Sequence, residues 1–270
     1  EIIFPIRQDG MKTRQYGGTT YLVAAATIGG MPYASTGDPW KCFFARENMV
    51  EKFFPNKDIP MATVNDVLED PTKEQVRAKD NEMGISTADV IAKAKDDRAL
   101  FYMGVGGCET GKVRTINPGE NITGPLNGAS FVKWSNLHAD GSTQHDQNYS
   151  DTDFPVFRLA EIYLTRAEAK YRLGQDDLDD ILKVQDRANR ASKATSVNEQ
   201  TLIDEWCREF YMEGRRRSDL VRFGLFTGSK YLWSFKGGAE KGAGIPTYYD
   251  IYPIPADEIK NNPNMTQNPK

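Results

Sequence analysis

The stretch RLAEIYLTRAEAKYRLG, residues 158–174, decides the fold class because its apolar residues recur at the spacing of an α-helix. The residues on that side are Leu159, Ile162, Tyr163, Ala167 and Tyr171. Gly174 follows the last of them and is typical of a helix C-terminus. We predict an amphipathic helix over residues 158–174.

Two more helices are expected after this one. The segment DLDDILKVQDRANRA, residues 177–191, begins with acidic residues, which the helix dipole favours. Its short GQD link to the first helix makes the two antiparallel neighbours. A third helix begins near Ser196, with Glu199 in a capping-box pattern, and runs to Phe210. These helices resemble one tetratricopeptide unit. Such a unit needs stacked neighbours, which we expect outside this chain.

The first 150 residues differ in composition, since they are rich in glycine and proline turns. Two helices are predicted there, over residues 45–54 and 86–96, and the second has Ser86 as its N-cap and Asp89 three residues later. Residues 136–153 are polar and aperiodic, and we expect an exposed loop. The opening EIIFPIRQDG resembles a strand already under way, as in the middle of a longer protein.

These patterns predict a mainly α protein with long irregular loops and a few short strands. We expect a loop-rich ligand-binding subdomain over residues 1–153 and a helical region over residues 154–270.

Charge and composition exclude several classes of function. The chain has 34 basic and 38 acidic residues and a net charge of -4, so a nucleic-acid partner is disfavoured. No apolar run approaches the ~18 residues that cross a bilayer. Cys42, Cys108 and Cys207 are too few and too far apart for a disulfide framework or a cysteine zinc site. We expect no cofactor and no metal.

The segment GGCETGKV, residues 106–113, resembles a phosphate-binding loop but lacks two of its requirements. Val113 stands where a hydroxyl group must hold magnesium. Pro118 and Gly119 interrupt the helix whose N-terminus would bind the phosphates. We interpret the segment as a glycine-rich turn that binds no nucleotide.

Catalytic residues are scarce, because the chain has two histidines, His138 and His145. Ser142, His145 and Asp146 are the residue types of a catalytic triad. Their loop, however, lacks the apolar residues that would hold a triad rigid. We predict no catalytic residues.

Two clusters of charge have structural interpretations. The acidic cluster at residues 176–180 lacks the spacing of an EF-hand loop and is typical of a helix start. The run Arg215 to Arg217 lies beside Glu213 and Asp219, which favours internal salt bridges over an anion clamp.

Aromatic residues offer the best candidates for ligand binding, because sugars pack their apolar C–H faces on rings. Trp206 falls on the apolar side of a helix, and Trp134 and Trp233 are expected to be packed. Trp40 lies instead in the loop MPYASTGDPWKCFF, residues 31–44, close to Tyr33. Loops of this kind carry function.

We therefore predict a ligand site on this loop. Its stacking platforms are Trp40 and Tyr33, and its hydrogen-bonding residues are Asp38, Arg46 and Asn48.

Several motifs resemble the C-terminal half of the SusD/RagB family. They are FPVFRLAEIYLTRAEAKYRLG (154–174), EWCREFYMEGRRRSDLVRFGLF (205–226), YLWSFKGG (231–238), IYPIPADEIKNNPN (251–264) and the terminal QNP (267–269). The opening EIIF and the DDRALFY segment (96–102) extend the resemblance over residues 1–110. One departure is the terminus, which ends QNP-Lys where the family usually has QNP-Gly-Tyr.

The resemblance implies an α-helical surface lipoprotein with tetratricopeptide units, most of them built by an N-terminal half that is absent here. It implies a lid on a SusC-like TonB-dependent transporter, at the extracellular face of the outer membrane. The ligand would be an oligosaccharide, or in some members a peptide, delivered without cleavage. The lipid anchor would belong to the absent half.

The resemblance assigns RLAEIYLTRAEA and EFYMEGRRRSDL to the scaffold. It matches no binding motif position by position, so Trp40 and Tyr33 rest on local chemistry. A glycan-binding lid, a peptide-binding lid and an unrelated hydrolase remain the alternatives, the hydrolase without a marked carboxylate pair or triad.

Overall fold

A computed structural model describes residues 1–32, 35–63, 66–108, 115–116 and 128–269. The chain forms two compact units, Glu1–Met212 and Glu213–Lys270. We predicted from composition a boundary after residue 153, between a ligand-binding subdomain and a helical region, and this boundary stays a proposal. Among the described residues, no helix is both long enough and apolar enough to span a bilayer.

Three helices form the C-terminal part of the first unit: α5 (Leu159–Arg172), α6 (Asp179–Arg187) and α7 (Glu199–Phe210). Ion pairs show that α5 and α6 are antiparallel. Lys170, near the end of α5, binds Asp177, while Arg166, one turn earlier, binds Asp180 at 2.6 Å. The predicted helical hairpin is confirmed. The acidic cluster at residues 176–180 lies at the start of α6 and pairs with the basic side chains of α5.

The cap of α7 differs from the prediction. Asn198 is the N-cap, and its side chain accepts a hydrogen bond from the Thr201 N–H at 2.9 Å. Asn is as good a cap as Ser, so the helix begins two residues later than the Ser196 pattern indicates. Glu199 is therefore the first residue of the helix, and the predicted capping box was wrong.

The strands are short and antiparallel. The strand that the opening sequence predicted is β1 (Ile2–Ile6), and it pairs with β5 (Phe154–Arg158) in a two-stranded ribbon that was not predicted. β2 (Phe44–Ala45), β3 (Phe101–Tyr102) and β4 (Ala129–Phe131) form a second sheet in the order β2-β4-β3.

Among the described residues of the first part of the chain, four helices occur: α1 (Gly18–Ala26), α2 (Glu47–Val50), α3 (Lys73–Glu82) and α4 (Thr87–Ala94). The prediction for α4 is confirmed, including its capping box of Ser86 and Asp89. The helix predicted over residues 45–54 was too long. It ends at Val50, and the following turns bury the rings of Phe53 and Phe54.

The core of the first unit is an aromatic cluster. The ring of Tyr211, just after α7, stacks on Phe101 and Phe131 with ring centroids 5.7 and 5.6 Å apart. Phe53 packs edge-on against Phe101 at 5.4 Å. These rings join the two sheet strands β3 and β4 to the end of α7.

A buried charge network lies beside this core. Glu205 on α7 is fully buried and accepts hydrogen bonds from Arg98, Arg208 and Gln185 at 2.6, 2.7 and 2.7 Å. Arg98 also binds Asp96 at 2.8 Å. Each buried charge therefore has opposite charges or hydrogen-bonding groups around it, as burial of ions requires.

The second unit contains α8 (Arg216–Arg222), α9 (Ala256–Asn261) and short 3-10 turns at residues 236–238 and 247–250. Asp219 lies 3.9 Å from Arg215 and 2.9 Å from Arg222. The Arg217 guanidinium lies 3.7 Å from the ring centroid of Tyr252. The predicted internal role of the arginine run is confirmed, although rings contribute alongside carboxylates.

Candidate functional site

Four aromatic rings form a continuous surface on the first unit. The ring of Trp40 lies 5.9 Å from that of Tyr16 and 5.8 Å from that of Tyr21. Tyr149 extends the row, 5.1 Å from Tyr16. Tyr16 is 57% exposed and Tyr21 is 46% exposed, while Trp40 and Tyr149 are half-buried. We call these four residues the aromatic arc.

The rings of the arc are not coplanar. Neighbouring rings are inclined to one another by 52°, 61° and 41°, for the pairs Tyr16–Trp40, Tyr21–Trp40 and Tyr16–Tyr149. The four rings therefore do not form one flat platform.

The backbone of α1 fixes the position of Trp40. The Trp40 N–H donates to the Ala24 carbonyl at 2.9 Å, and the Cys42 and Phe43 N–H groups donate to the Ala25 carbonyl at 3.0 and 2.9 Å. These carbonyls lie at the end of α1, where the Thr27 N–H also donates to the Ala24 carbonyl at 3.3 Å. The loop supplies further donors that a helix end lacks. The loop is thus attached to the helix that carries Tyr21.

The start of α1 holds the opposite end of the arc. The Ser150 N–H donates to Thr20 Oγ1 at 2.9 Å, and Thr19 Oγ1 donates to the Thr152 carbonyl. This attachment places Tyr149 beside Tyr16, although the two residues are far apart in the sequence. A hydrogen bond with Tyr149 raises the pKa of Tyr16.

Polar groups border the rings. The indole N–H of Trp40 donates to Asp38 Oδ2 at 3.1 Å, which fixes the orientation of the indole. The Arg14 guanidinium lies 5.0 Å from the ring centroid of Tyr149 and 3.6 Å from Asp146. Rings with a polar border are typical of sites that bind sugars, since these rings contact the C–H faces and the border contacts hydroxyls.

The structure brings together two of the five predicted ligand residues, Trp40 and Asp38. Tyr33 lies outside the described residues. Arg46 is the N-cap of α2, and Asn48 lies in its first turn, both half-buried. Burial lowers the pKa of Arg46. The roles of all five in binding stay predictions.

Sequence reasoning missed Tyr16, Tyr21 and Tyr149. Tyr16 precedes two glycines, and Tyr149 lies in a polar loop that we expected to be only exposed chain. Tyr16 and Tyr149 carried the signal that singled out Trp40, an aromatic residue without an apolar periodicity around it, whereas Tyr21 lies in an apolar run and carried no such signal. The other tryptophans are packed as predicted: Trp206 is 1% exposed, and Trp134 and Trp233 are half-buried against Phe154 and Phe226.

The loop at residues 136–153 does not form the triad of Ser142, His145 and Asp146. Ser142 Oγ lies 2.7 Å from Nδ1 of His138, while Nδ1 of His145 lies 2.8 Å from Asp151. Asp146 accepts hydrogen bonds from the backbone N–H groups of its own loop.

The loop is also less exposed than predicted. Asn136 and Ser150 are buried, and Asn136 binds the carbonyls of Asp146 and Tyr149.

Of the segment GGCETGKV, residues 109–113 lie outside the described residues. Gly107 has a φ of +74°, as a glycine turn requires, and the Gly106 N–H donates to the buried Tyr102 hydroxyl at 2.7 Å.

Comparisons with known proteins agree with this architecture. The model of the SusD family matches residues 1–270. The starch-binding protein SusD of Bacteroides thetaiotaomicron is 54% identical over 274 residues, which cover 99% of this chain and 48% of SusD. The SusD-like protein P25 of Formosa agariphila is 29% identical over 164 residues, or 57% of this chain and 30% of P25. The chain thus spans at most about half the length of these relatives.

A solved structure also matches. A SusD-like protein of Bacteroides fragilis superposes with a TM-score of 0.57 at 16% sequence identity, over 99% of this chain and 53% of that protein. At this identity, the match concerns the fold alone.

Proposed function

The chain belongs to the SusD family, and we propose that it forms part of a surface nutrient-binding protein. This protein captures oligosaccharides and hands them to a SusC-like TonB-dependent transporter, without catalysis. We place it at the extracellular face of the outer membrane, held by a lipid anchor that lies outside this chain.

The observation that carries the proposal is the aromatic arc. Four rings in contact, with two of them about half exposed, are costly to leave in water unless they bind something. Their polar border supplies hydrogen-bonding groups but no marked nucleophile. This combination serves binding better than bond cleavage.

The inclination of the rings favours one class of glycan. A chain of α-1,4-linked glucose coils, whereas a β-1,4-linked chain is a flat ribbon that packs best on coplanar rings. The rings of the arc are inclined by 41° to 61°, and the 54% identical relative is named as starch-binding. We therefore propose an α-glucan oligosaccharide as the ligand.

Individual residues have distinct proposed roles. Trp40, Tyr16, Tyr21 and Tyr149 stack on the sugar rings, and Tyr33 adds a further platform. Asp38, Arg46 and Asn48 offer hydrogen bonds to hydroxyl groups. The Asp38 carboxylate already orients the indole through Oδ2.

A peptide-binding lid of the same fold is the alternative, because an aromatic surface with polar neighbours also binds extended peptides. A hydrolase is less well supported. The two histidines contact Asp151 and a serine of their own loop rather than forming a base and nucleophile beside the arc.

Calorimetric titration with three ligand panels tests the proposal. We expect α-1,4-linked glucose oligomers to bind the 270-residue protein, and β-1,4-linked oligomers and peptides to bind at least about tenfold more weakly, a difference of about 1.4 kcal/mol. Tyr16→Ala should weaken binding. The control Tyr252→Ala removes a ring that is 69% exposed on the second unit and should leave binding unchanged.

Two results would contradict the proposal. Binding of peptides alone would support the alternative lid, and oligosaccharide fragments found by chromatography after incubation would show catalysis.

A further inference from the structure

One buried side chain links the two loops that carry Trp40 and Tyr149. Asn136 is only 2% exposed, although it lies in the polar segment between β4 and β5. A side-chain amide has two N–H donors and an acceptor oxygen, and burial is costly unless these groups have partners. The partners of Asn136 lie in the loops around the aromatic arc.

The amide of Asn136 binds the backbone on both sides of the Tyr149 ring. Nδ2 donates to the carbonyl of Asp146 at 2.9 Å and to the carbonyl of Tyr149 at 3.3 Å. Oδ1 accepts a hydrogen bond from the Asp151 N–H at 2.8 Å. A single side chain therefore fixes the turn at residues 146–151, which carries the Tyr149 ring.

The backbone of Asn136 extends this network to the Trp40 loop. Its N–H donates to Ser35 Oγ at 2.9 Å, and Ser35 is itself buried. Two residues further on, the Gly37 N–H donates to the Gln147 carbonyl at 3.0 Å. The turn that carries Tyr149 is thus attached to the loop that carries Trp40.

We propose that Asn136 is a positioning residue of the ligand site, and that its amide holds the Tyr149 ring beside Tyr16. This inference rests on the proposed function of the arc, because it concerns the geometry of that site. Asn136 is buried, so it acts through Tyr149 rather than by contact with the ligand. Aspartate at this position would have the same size but no N–H donor, and alanine would have neither donor nor acceptor.

Solution NMR of the 270-residue protein tests the geometry without a ligand. We expect the side-chain amide protons of Asn136 to exchange slowly with water, because both donors are buried in hydrogen bonds. The ring protons of Tyr16 and Tyr149 should show a nuclear Overhauser effect, because the ring centroids are 5.1 Å apart. Fast exchange of the amide protons, or no effect between the two rings, would overturn the proposal.

Two variants test the role of the amide at pH 7. The effect between Tyr16 and Tyr149 should be lost in Asn136→Ala and in Asn136→Asp, while the ring contacts of the aromatic core remain and show that the variants fold. Asn148→Ala removes an exposed amide from the same loop and is the matched control, which should keep the Tyr16 contact. Retention of this contact in both Asn136 variants would overturn the proposal.

Calorimetry with an α-1,4-linked glucose oligomer tests the consequence for binding. We expect Asn136→Ala to bind about tenfold more weakly than the parent, as when an interface residue is lost. In a Tyr149→Ala background, Asn136→Ala should change the affinity by less than about twofold, because the ring that it positions is gone. A general loss of stability would not depend on Tyr149 in this way.

Additive losses of affinity in this double-mutant cycle would overturn the proposal. An absence of glucan binding by the parent protein would instead overturn the proposed function of the arc. The NMR contacts would still decide whether Asn136 positions Tyr149, so the two failures are distinguishable.

Discussion

The indole of Trp40 lies at the surface, between the rings of Tyr16 and Tyr21. Truncating an aromatic anchor commonly costs about 2 kcal/mol of binding, so we expect Trp40→Ala to lower affinity for an α-glucan about thirtyfold. A buried ring would instead cost about 3–5 kcal/mol of folding stability. Calorimetry and thermal unfolding on the same variant separate the two roles.

The matched control for Trp40→Ala is Tyr252→Ala, which removes an exposed ring far along the chain. Unchanged affinity of Trp40→Ala, whatever happens to its melting temperature, would exclude Trp40 from the ligand site.

Glu205 gives a prediction about pH. Burial by itself would raise its pKa, but the charges of Arg98 and Arg208 outweigh burial and lower it from 4.5 to about 2. A carboxyl group with a lowered pKa stabilises the fold above its unfolded pKa, and this stability is lost as the pH falls toward its folded pKa. This difference in pKa corresponds to about 3 kcal/mol.

We therefore expect the free energy of unfolding to be steady above pH 5 and to fall between about pH 4.5 and 2. Glu205→Gln should destabilise the protein by about 3–5 kcal/mol at pH 7, because it leaves buried arginine charges underpaired. The free energy of unfolding of Glu205→Gln should also depend less on pH in the acid range. Urea denaturation at several pH values measures both, with the exposed Glu74→Gln as control. Equal acid dependence in Glu205→Gln and the parent would contradict this prediction.

At the scale of elements, α4 depends on its capping box. Ser86 Oγ accepts the Asp89 N–H, and the Asp89 carboxylate accepts the Ser86 N–H at 3.0 Å. We expect Ser86→Ala to reduce the free energy of unfolding by about 1 kcal/mol. Thr87→Ala is the control in the next position, since its hydroxyl has no hydrogen-bond partner among the described residues. An equal loss in both variants, measured by urea denaturation, would show that the cap contributes nothing specific.

The elements that could be predicted from the sequence are those with local signals. The helical spacing was enough to predict α5, and Ser86 with Asp89 was enough for α4. The predicted apolar side of α5 was partly wrong, because Leu159 and Ile162 are 41% and 48% exposed, while Leu164 and Ala167 are buried. α3 carries a similar signal, a capping box of Thr72 and Gln75, which was available but not used.

Other elements depend on distant contacts. α1 begins at Gly18, the second of two adjacent glycines that normally indicate a turn, and six of its nine residues are buried, so packing rather than propensity forms it. The aromatic arc needs residues 16, 21, 40 and 149 on one surface, which the packing of α1 brings about. No local pattern in the sequence shows that these four residues share a surface, so Trp40 was the one residue of the arc that was predicted.

At the scale of the molecule, the ribbon of β1 and β5 is apolar and exposed. Ile2 and Ile3 are adjacent residues of β1, and they are 54% and 58% exposed. Exposed apolar residues continue onto Phe157 of β5 and Ile162 of α5. A two-stranded ribbon is marginally stable in water, so we expect further polypeptide of the full-length protein to cover it.

We predict that the 270-residue chain binds the dye ANS at this ribbon, and that Ile3→Ser with Ile162→Ser reduces the fluorescence. Met11→Ser removes an exposed apolar residue outside the ribbon and α5, and it should leave the fluorescence nearly unchanged. A cooperative thermal transition without dye binding would contradict the need for a covering segment.

The attachment of the Trp40 loop to α1 has a consequence for evolution. The loop is held by backbone N–H groups of residues 40–43 that donate to the carbonyls of Ala24, Ala25 and Thr27. Every amino acid except proline can supply such a donor. Mutations in the loop can therefore exchange side chains without detaching the loop, so we expect new ligand specificities to become accessible by drift or by laboratory selection on an unchanged scaffold.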